Sequence, residues 1–189
     1  MKDYKFELKS YLDREIEVIK SLDLESINSV MNVLEEAKEQ HKTTYICGNG
    51  GSAATASHFV CDFNKGLNDE ASQYKFQCLS DNTAIMMAIS NDIGYDEVFR
   101  YQIKGRIEEG DILFGISGSG NSINVINAIE YAKSVGAKTI ALVGYDGGKM
   151  KEIADYCIHV NINDMQISED IHMIMDHLMM YVLSHGEGC

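Results

Sequence analysis

The chain has no proline, where ordinary usage of about 5% would give a protein of this size roughly nine. That absence removes one kind of boundary signal and carries no functional message. Basic residues are scarce: 16 lysines and arginines stand against 29 aspartates and glutamates, a formal charge of −13. Such a surplus repels phosphate backbones and acidic lipid surfaces at long range, which argues against nucleic acid and against a membrane surface as partner. An anionic ligand must then be held by local fields such as helix N-termini. No apolar run approaches the roughly 20 residues that a membrane span requires. The opening MKDYKFELKS lacks the apolar stretch of a signal peptide. The five cysteines (Cys47, Cys61, Cys78, Cys157, Cys189) form no CxxC pair and are odd in number. They read as reduced thiols in a cytoplasm, four of them small core residues in or beside apolar stretches.

What is present is an ordinary globular composition, 45% apolar and 24% charged, in 189 residues, the size of one domain. The first forty residues read as two amphipathic helices. Tyr4, Leu8, Leu12, Ile16 and Ile19 recur at spacings of three or four. After a break at 21–23 the pattern resumes with Ile27, Met31, Leu34 and Ala37. These stripes must be buried across the sheet's own edge or against another subunit. Residues 1–41 are therefore expected to form a helical oligomerisation segment and 42–189 the core.

From residue 43 the period changes. Runs at 43–47, 74–79, 111–116, 139–143 and 156–160 read as strands. Helices are expected over 53–63, 83–90, 96–107, 123–135, 149–154 and 168–183. Most strands are continuous apolar runs, which implies a parallel sheet buried on both faces: a doubly wound, flavodoxin-like α/β domain with five strands and two leading helices. In such sheets ligands sit beyond the carboxyl ends of the strands, where two glycine-serine loops fall.

The loop Ser117-Gly118-Ser119-Gly120-Asn121-Ser122 lies between a strand and a helix, so its N–H groups and the first N–H groups of the helix converge on one small volume. Glycines 118 and 120 allow close backbone approach, and three serine hydroxyls add neutral donors. The loop matches neither GxxxxGK[ST] nor GxGxxG, so nucleotide binding loses support. Read blandly, it is a common turn in which Ser122 caps the next helix. A second loop, Gly48-Asn49-Gly50-Gly51-Ser52, in the same strand-to-helix setting favours the phosphate reading, because both loops face one crevice.

His58 and Asp62 are four apart and share a helix face, a spacing that also describes a plain surface contact. The last helix carries Glu169, Asp170, His172, Asp176 and His177 on faces too various for all to be buried. His177 has Met173, Ile174, Leu178 and Tyr181 as apolar neighbours, surroundings that favour a neutral imidazole in the crevice or a satisfied core histidine. His58, Asp62, Glu169 and His177 supply the ligand types of a zinc site with nitrogen and oxygen donors, although no HExxH or Cys-pair spacing is present.

Four stretches, GNGGSAATASHF, SNDIGYDEVFRYQI, GISGSGNSINVINAIEYAKSVG and EDIHMIMDHL, resemble successive motifs of the phosphoheptose isomerases. These are SIS (sugar isomerase) domain enzymes that convert sedoheptulose 7-phosphate to glycero-manno-heptose 7-phosphate. The resemblance implies that Asn49, Gly50, Gly51 and Ser52 line the sugar, that Asn91 and Asp92 contact it, and that Ser117, Gly118, Ser119 and Ser122 hold the phosphate. It also places the family's first metal histidine on His58 and its last on His177, and implies a divalent metal, zinc, held by His58, Asp62, Glu169 and His177. Asp62 becomes the carboxylate base, His177 its acid/base partner, Glu169 a further substrate contact, and the assembly a homotetramer. Two positions depart: Asp62 stands where the family commonly has glutamate and Glu169 where it commonly has glutamine. The competing reading is a sugar-phosphate sensor or a protein that associates with a replication initiator, which would keep the loops and dispense with the acid–base pair.

Overall fold

A computed structural model of the protein describes residues 2–67 and 73–185. Two helices lead, α1 (Lys5–Lys20) and α2 (Leu24–Glu39), and the Asp23 carboxylate between them accepts the Glu25 N–H to cap α2. Next come β1 (Thr44–Gly48) and α3 (Gly51–Cys61), which runs straight into a π-helical turn (Asp62–Gly66). β2 (Phe76–Cys78), α4 (Thr83–Asp92), a 3-10 turn (Tyr95–Glu97) and α5 (Arg100–Ile103) follow. The chain ends in β3 (Ile112–Ser117), α6 (Ile123–Ser134), β4 (Lys138–Val143), α7 (Gly148–Ile153), β5 (Tyr156–His159) and α8 (Met165–His185).

All five strands pair in parallel in the order β2-β1-β3-β4-β5, the doubly wound arrangement read from the sequence. Alternate residues feed two cores. Ile46, Phe114, Ile116, Ile140 and Leu142 pack under α2, α3 and α8. Tyr45, Cys47, Leu113, Ala141 and Val143 pack under α4 to α7. Burial on both faces is why the strands read as unbroken apolar runs. The sheet order reverses between β1 and β3, so the loops after these neighbouring strands open one crevice at their carboxyl ends.

The two leading helices behave differently. α2 buries Ile27, Val30, Val33, Leu34 and Ala37 in the first core. α1 buries Val18 alone, and Leu8, Leu12, Ile16 and Ile19 remain 63, 56, 47 and 40% exposed. It is pinned through polar contacts, the Tyr11 hydroxyl donating to Asp170 and Arg14 pairing with Asp164 at 2.8 Å.

The helix expected over 96–107 is broken into the 3-10 turn and the single turn of α5. Gly94, at φ 145°, starts the segment, and Lys104 leaves helical geometry with ψ 119° ahead of Gly105 at φ 72°. Between them Val98, Phe99 and Ile103 are all buried, and the Gln102 amide donates to the carbonyls of Leu79 and Val98. Insertion into the second core outweighs helix continuity here. Cys47, Cys61, Cys78 and Cys157 are free thiols, with Cys61 exposed rather than in the core; Cys189 lies outside the described residues. No helix among the described residues is long and apolar enough to cross a membrane.

Candidate active site

The first loop leaves β1 at Gly48, whose N–H and carbonyl are both held by the Ser80 hydroxyl. Gly50 adopts φ 55°, a left-handed conformation that lets the chain turn directly into α3. Asn49 is fixed on three sides. Its amide exchanges two 2.9 Å hydrogen bonds with the buried Asn124 side chain, and its Oδ1 also accepts from the Tyr95 hydroxyl at 2.7 Å. Because Asn124 sits in the first turn of α6, this pair ties the two loops together. Tyr95 lines a hollow with Ser80, Ser90 and Asn91, and the Asn91 amide donates to Asp92 at 2.8 Å. Sequence reasoning missed Asn124 and Tyr95. A lone asparagine at a helix start and one tyrosine in a polar segment carry no spacing signal.

In the second loop Ser122 is the N-cap residue of α6, yet its side chain makes no capping bond. Its hydroxyl lies 3.0 Å from that of Ser117, inside the loop, so the helix-cap reading is not what this side chain does. The Ser117 hydroxyl accepts the Gly120 N–H, and the Ser119 hydroxyl accepts the Asn121 N–H. Gly120, at φ 64°, lies so close to the Gly147 carbonyl that no side chain fits. The result is a rigid hydroxyl-lined and N–H-lined cradle without a lysine, which suits a phosphate bound through dipoles.

α3 and α8 lie side by side and bring the titratable residues together. The His58 Nε2 is 3.1 Å from the His177 Nε2, 3.6 Å from Asp62 Oδ2 and 3.9 Å from Asp176 Oδ2. Donor atoms of these four residues all fall within 4.8 Å of one another. Tetrahedral coordination with bonds of about 2.0–2.2 Å would set neighbouring donors about 3.3–3.6 Å apart, close to this spacing, so the residues present fit a divalent cation. Asp62 opens the π-helical turn, a local widening of the helix that often marks functional positions.

Glu169 is not in this group. Its carboxylate lies over Gly51, where a Cβ would stand 2.5 Å from Oε2, so it faces the first loop at the start of α3. His177 is exposed and edge-on to His58, ring centroids 5.1 Å apart, and not in the apolar surroundings its sequence neighbours suggested. The apolar side of α8 turns instead through Ile171, Met175 and Met179 into the core. That same side carries two polar residues that are fully buried, His172 and Asp176; neither Asp176 carboxylate oxygen has a hydrogen-bond partner among the described residues, and the His172 imidazole faces the Val143 backbone. Burial and the nearby Asp62 charge push the Asp176 carboxyl up to about 7. Burial pulls the His172 imidazole down to about 4.

Known proteins repeat this architecture. The SIS domain family matches residues 8–144. A phosphoheptose isomerase from Aliarcobacter butzleri is 35% identical over 180 residues, covering 94% of this chain and 95% of the relative. One from Helicobacter pylori is 38% identical over 173 residues, 90% of each chain. The solved structure of the phosphoheptose isomerase GmhA from Neisseria gonorrhoeae superimposes with a TM-score of 0.89 at 28% identity, over 96% of this chain and 99% of that one. A hydroxyl-lined cradle, a second glycine loop bonded to it and an imidazole–carboxylate cluster on the flanking helices thus occur in a chain similar to these relatives from end to end, and the chain belongs to the phosphoheptose isomerase family of SIS domain proteins.

Proposed function

We infer that the protein interconverts sedoheptulose 7-phosphate and D-glycero-D-manno-heptose 7-phosphate through an enediol, in the synthesis of nucleotide-activated heptose. The observation that carries this reading is the pairing of an anion cradle with an acid–base cluster on the helices that rise from the same crevice. The 117–122 loop receives the phosphate on serine hydroxyls and backbone N–H groups, and the first loop, with Asn49 and Glu169, faces the sugar chain. A base takes the C1 proton of the ketose, giving the enediol. Protonation at C2, with transfer of a proton from O1 to O2, then gives the aldose. In this reading Asp62 is the base and His177 its acid/base partner, and the donor atoms of both lie within 4.8 Å of those of His58 and of one another. A divalent ion, zinc by the donor chemistry, would be held at His58, Asp62 and His177 and would polarise or position the open-chain sugar. The protein is read as a homotetramer that buries the α1 stripe, and as cytoplasmic on account of its free thiols.

A sensor needs the serine cradle but has no use for the cluster. The test is to incubate the protein with sedoheptulose 7-phosphate, with chelator or added zinc, and follow formation of the aldose. His177→Ala should lower turnover at least about 10²-fold while affinity for the sugar phosphate holds, because the loops bind substrate and product alike. Wild-type protein that binds the sugar phosphate but yields no aldose with any metal would replace the enzyme by the sensor.

A further inference from the structure

The polarity of the Asn49 amide is fixed from outside its own loop. The Val125 backbone N–H, a donor by nature, bonds at 3.0 Å to Asn124 Oδ1, so the other end of that buried amide is its Nδ2. Asn124 Nδ2 donates to Asn49 Oδ1, and Asn124 Oδ1 accepts from Asn49 Nδ2, each at 2.9 Å, which orients Asn49 in turn. The Tyr95 hydroxyl donates to the same Asn49 Oδ1 at 2.7 Å. A carbonyl oxygen has two lone pairs, so this one is saturated. What the half-buried Asn49 side chain has left is one N–H, which has no partner among the described residues. Both fixing groups belong to the α6 side of the crevice. Asn124 lies in the first turn of α6, and the 3-10 turn that carries Tyr95 is tied to α6 by the Asn127 amide, which donates to the Asp96 carbonyl at 2.9 Å.

We propose that the free Asn49 N–H is the donor to the oxygen that becomes negative in the enediolate, and that Tyr95 is a positioning residue, which with Asn124 keeps the acceptor end of that amide occupied and turned from the sugar. The proposal rests on the isomerase reading given above. When the base takes the C1 proton of the ketose, the C1–H electron pair becomes the second C1–C2 bond and the carbonyl π pair moves onto O2. An N–H held beside O2 gains strength as that charge grows, whereas an amide free to rotate would also present its oxygen, which repels the enediolate. Fixing the amide in the folded protein leaves no reorganisation for the moment of reaction. The Tyr95 bond adds to this, since a carbonyl that accepts two hydrogen bonds makes its own N–H a stronger donor.

Turnover of sedoheptulose 7-phosphate is compared in wild type, Tyr95→Phe, Asn49→Ala and the double variant, together with inhibition by a phosphorylated aldonohydroxamate, a mimic of the enediolate. Asn49→Ala should lower kcat by about 10²- to 10³-fold, the scale of one lost oxyanion donor. Tyr95→Phe keeps the ring and should melt as the wild type does. It should lower kcat by about 10-fold while KM holds, the mark of an interaction made only in the transition state. It should weaken the hydroxamate by a similar factor and leave affinity for the sugar phosphate unchanged. Because Tyr95 acts through Asn49, adding Tyr95→Phe to Asn49→Ala should cost nothing further. Wild-type kcat in Tyr95→Phe overturns the proposal. Equal weakening of hydroxamate and sugar phosphate marks a merely structural contact and overturns it too, as do additive losses in the double variant. Should Asn49→Ala fail to fold, the hydroxamate comparison in Tyr95→Phe decides alone. These outcomes leave the isomerase reading standing, whereas wild type that binds the sugar phosphate and yields no aldose with any metal overturns both.

Discussion

At Gly51 one missing carbon decides where a carboxylate sits. An added Cβ would meet the Glu169 carboxyl, the movable end of a flexible side chain, so Gly51→Ala should fold and melt as the wild type does. Displacing Glu169 should still lower kcat/KM by about 10- to 10²-fold, the scale of a misplaced group near reacting atoms. Unchanged kinetics would remove Glu169 from the substrate side. His172 and Asp176 set an opposed pair of pH responses in the metal-free protein. The Asp176 carboxyl is raised from its ordinary 3.8 to about 7, so its contribution to stability is full below the lower value and is lost as pH rises to the upper. The His172 imidazole is lowered from 6.5 to about 4, so its contribution is full above the upper value and is lost as pH falls to the lower. Between pH 4.5 and 6.5 the two slopes nearly cancel in the wild type. Relative to Asp176→Asn, however, the wild type should lose about 1.4 kcal/mol per pH unit across this window in urea titrations. Parallel profiles for the two proteins would show that Asp176 is ionised throughout.

Among the elements, α1 is the one whose sequence pattern and burial disagree. Its apolar stripe has the spacing of a core helix, yet four of its residues stand at least 40% exposed, while the same pattern in α2 is buried under the sheet. A patch of that kind on a monomer marks an interface. Leu12→Glu combined with Ile16→Glu should therefore reduce a tetramer to smaller species in sedimentation, and a wild type that sediments as a monomer would sink the tetramer. The strands were readable in the sequence because a parallel sheet covered on both faces leaves uninterrupted apolar runs, as at 43–47 and 139–143. The segment after Gly94 was not, since Val98, Phe99 and Ile103 show helical spacing whether or not the chain between them is helical. Both glycine loops and the His58, Asp62 and His177 positions were also readable. Asp176 was not singled out, because one of the five acidic and histidine residues between Glu169 and His177 gives no sign of which way it points until the helix is packed against α3.

The whole molecule carries 13 negative charges more than positive ones and is expected to bind a phosphate dianion. Long-range repulsion then slows encounter, and it weakens as the Debye length falls from about 30 Å at 0.01 M salt to about 8 Å at 0.15 M. kcat/KM should rise or hold over that range, and a steep fall would point to cationic steering at the crevice mouth. The contact between His58 and His177 joins positions 119 residues apart, from the first helix after β1 to the last helix of the fold. During synthesis the two glycine loops and all five strands leave the ribosome before α8 does. A nascent chain that stops short of α8 encodes both halves of the crevice, yet it has no Glu169, Asp176 or His177. With the roles proposed for these residues, the capacity for chemistry is the last property that translation confers, and a product terminated before α8 should bind phosphate without turning over.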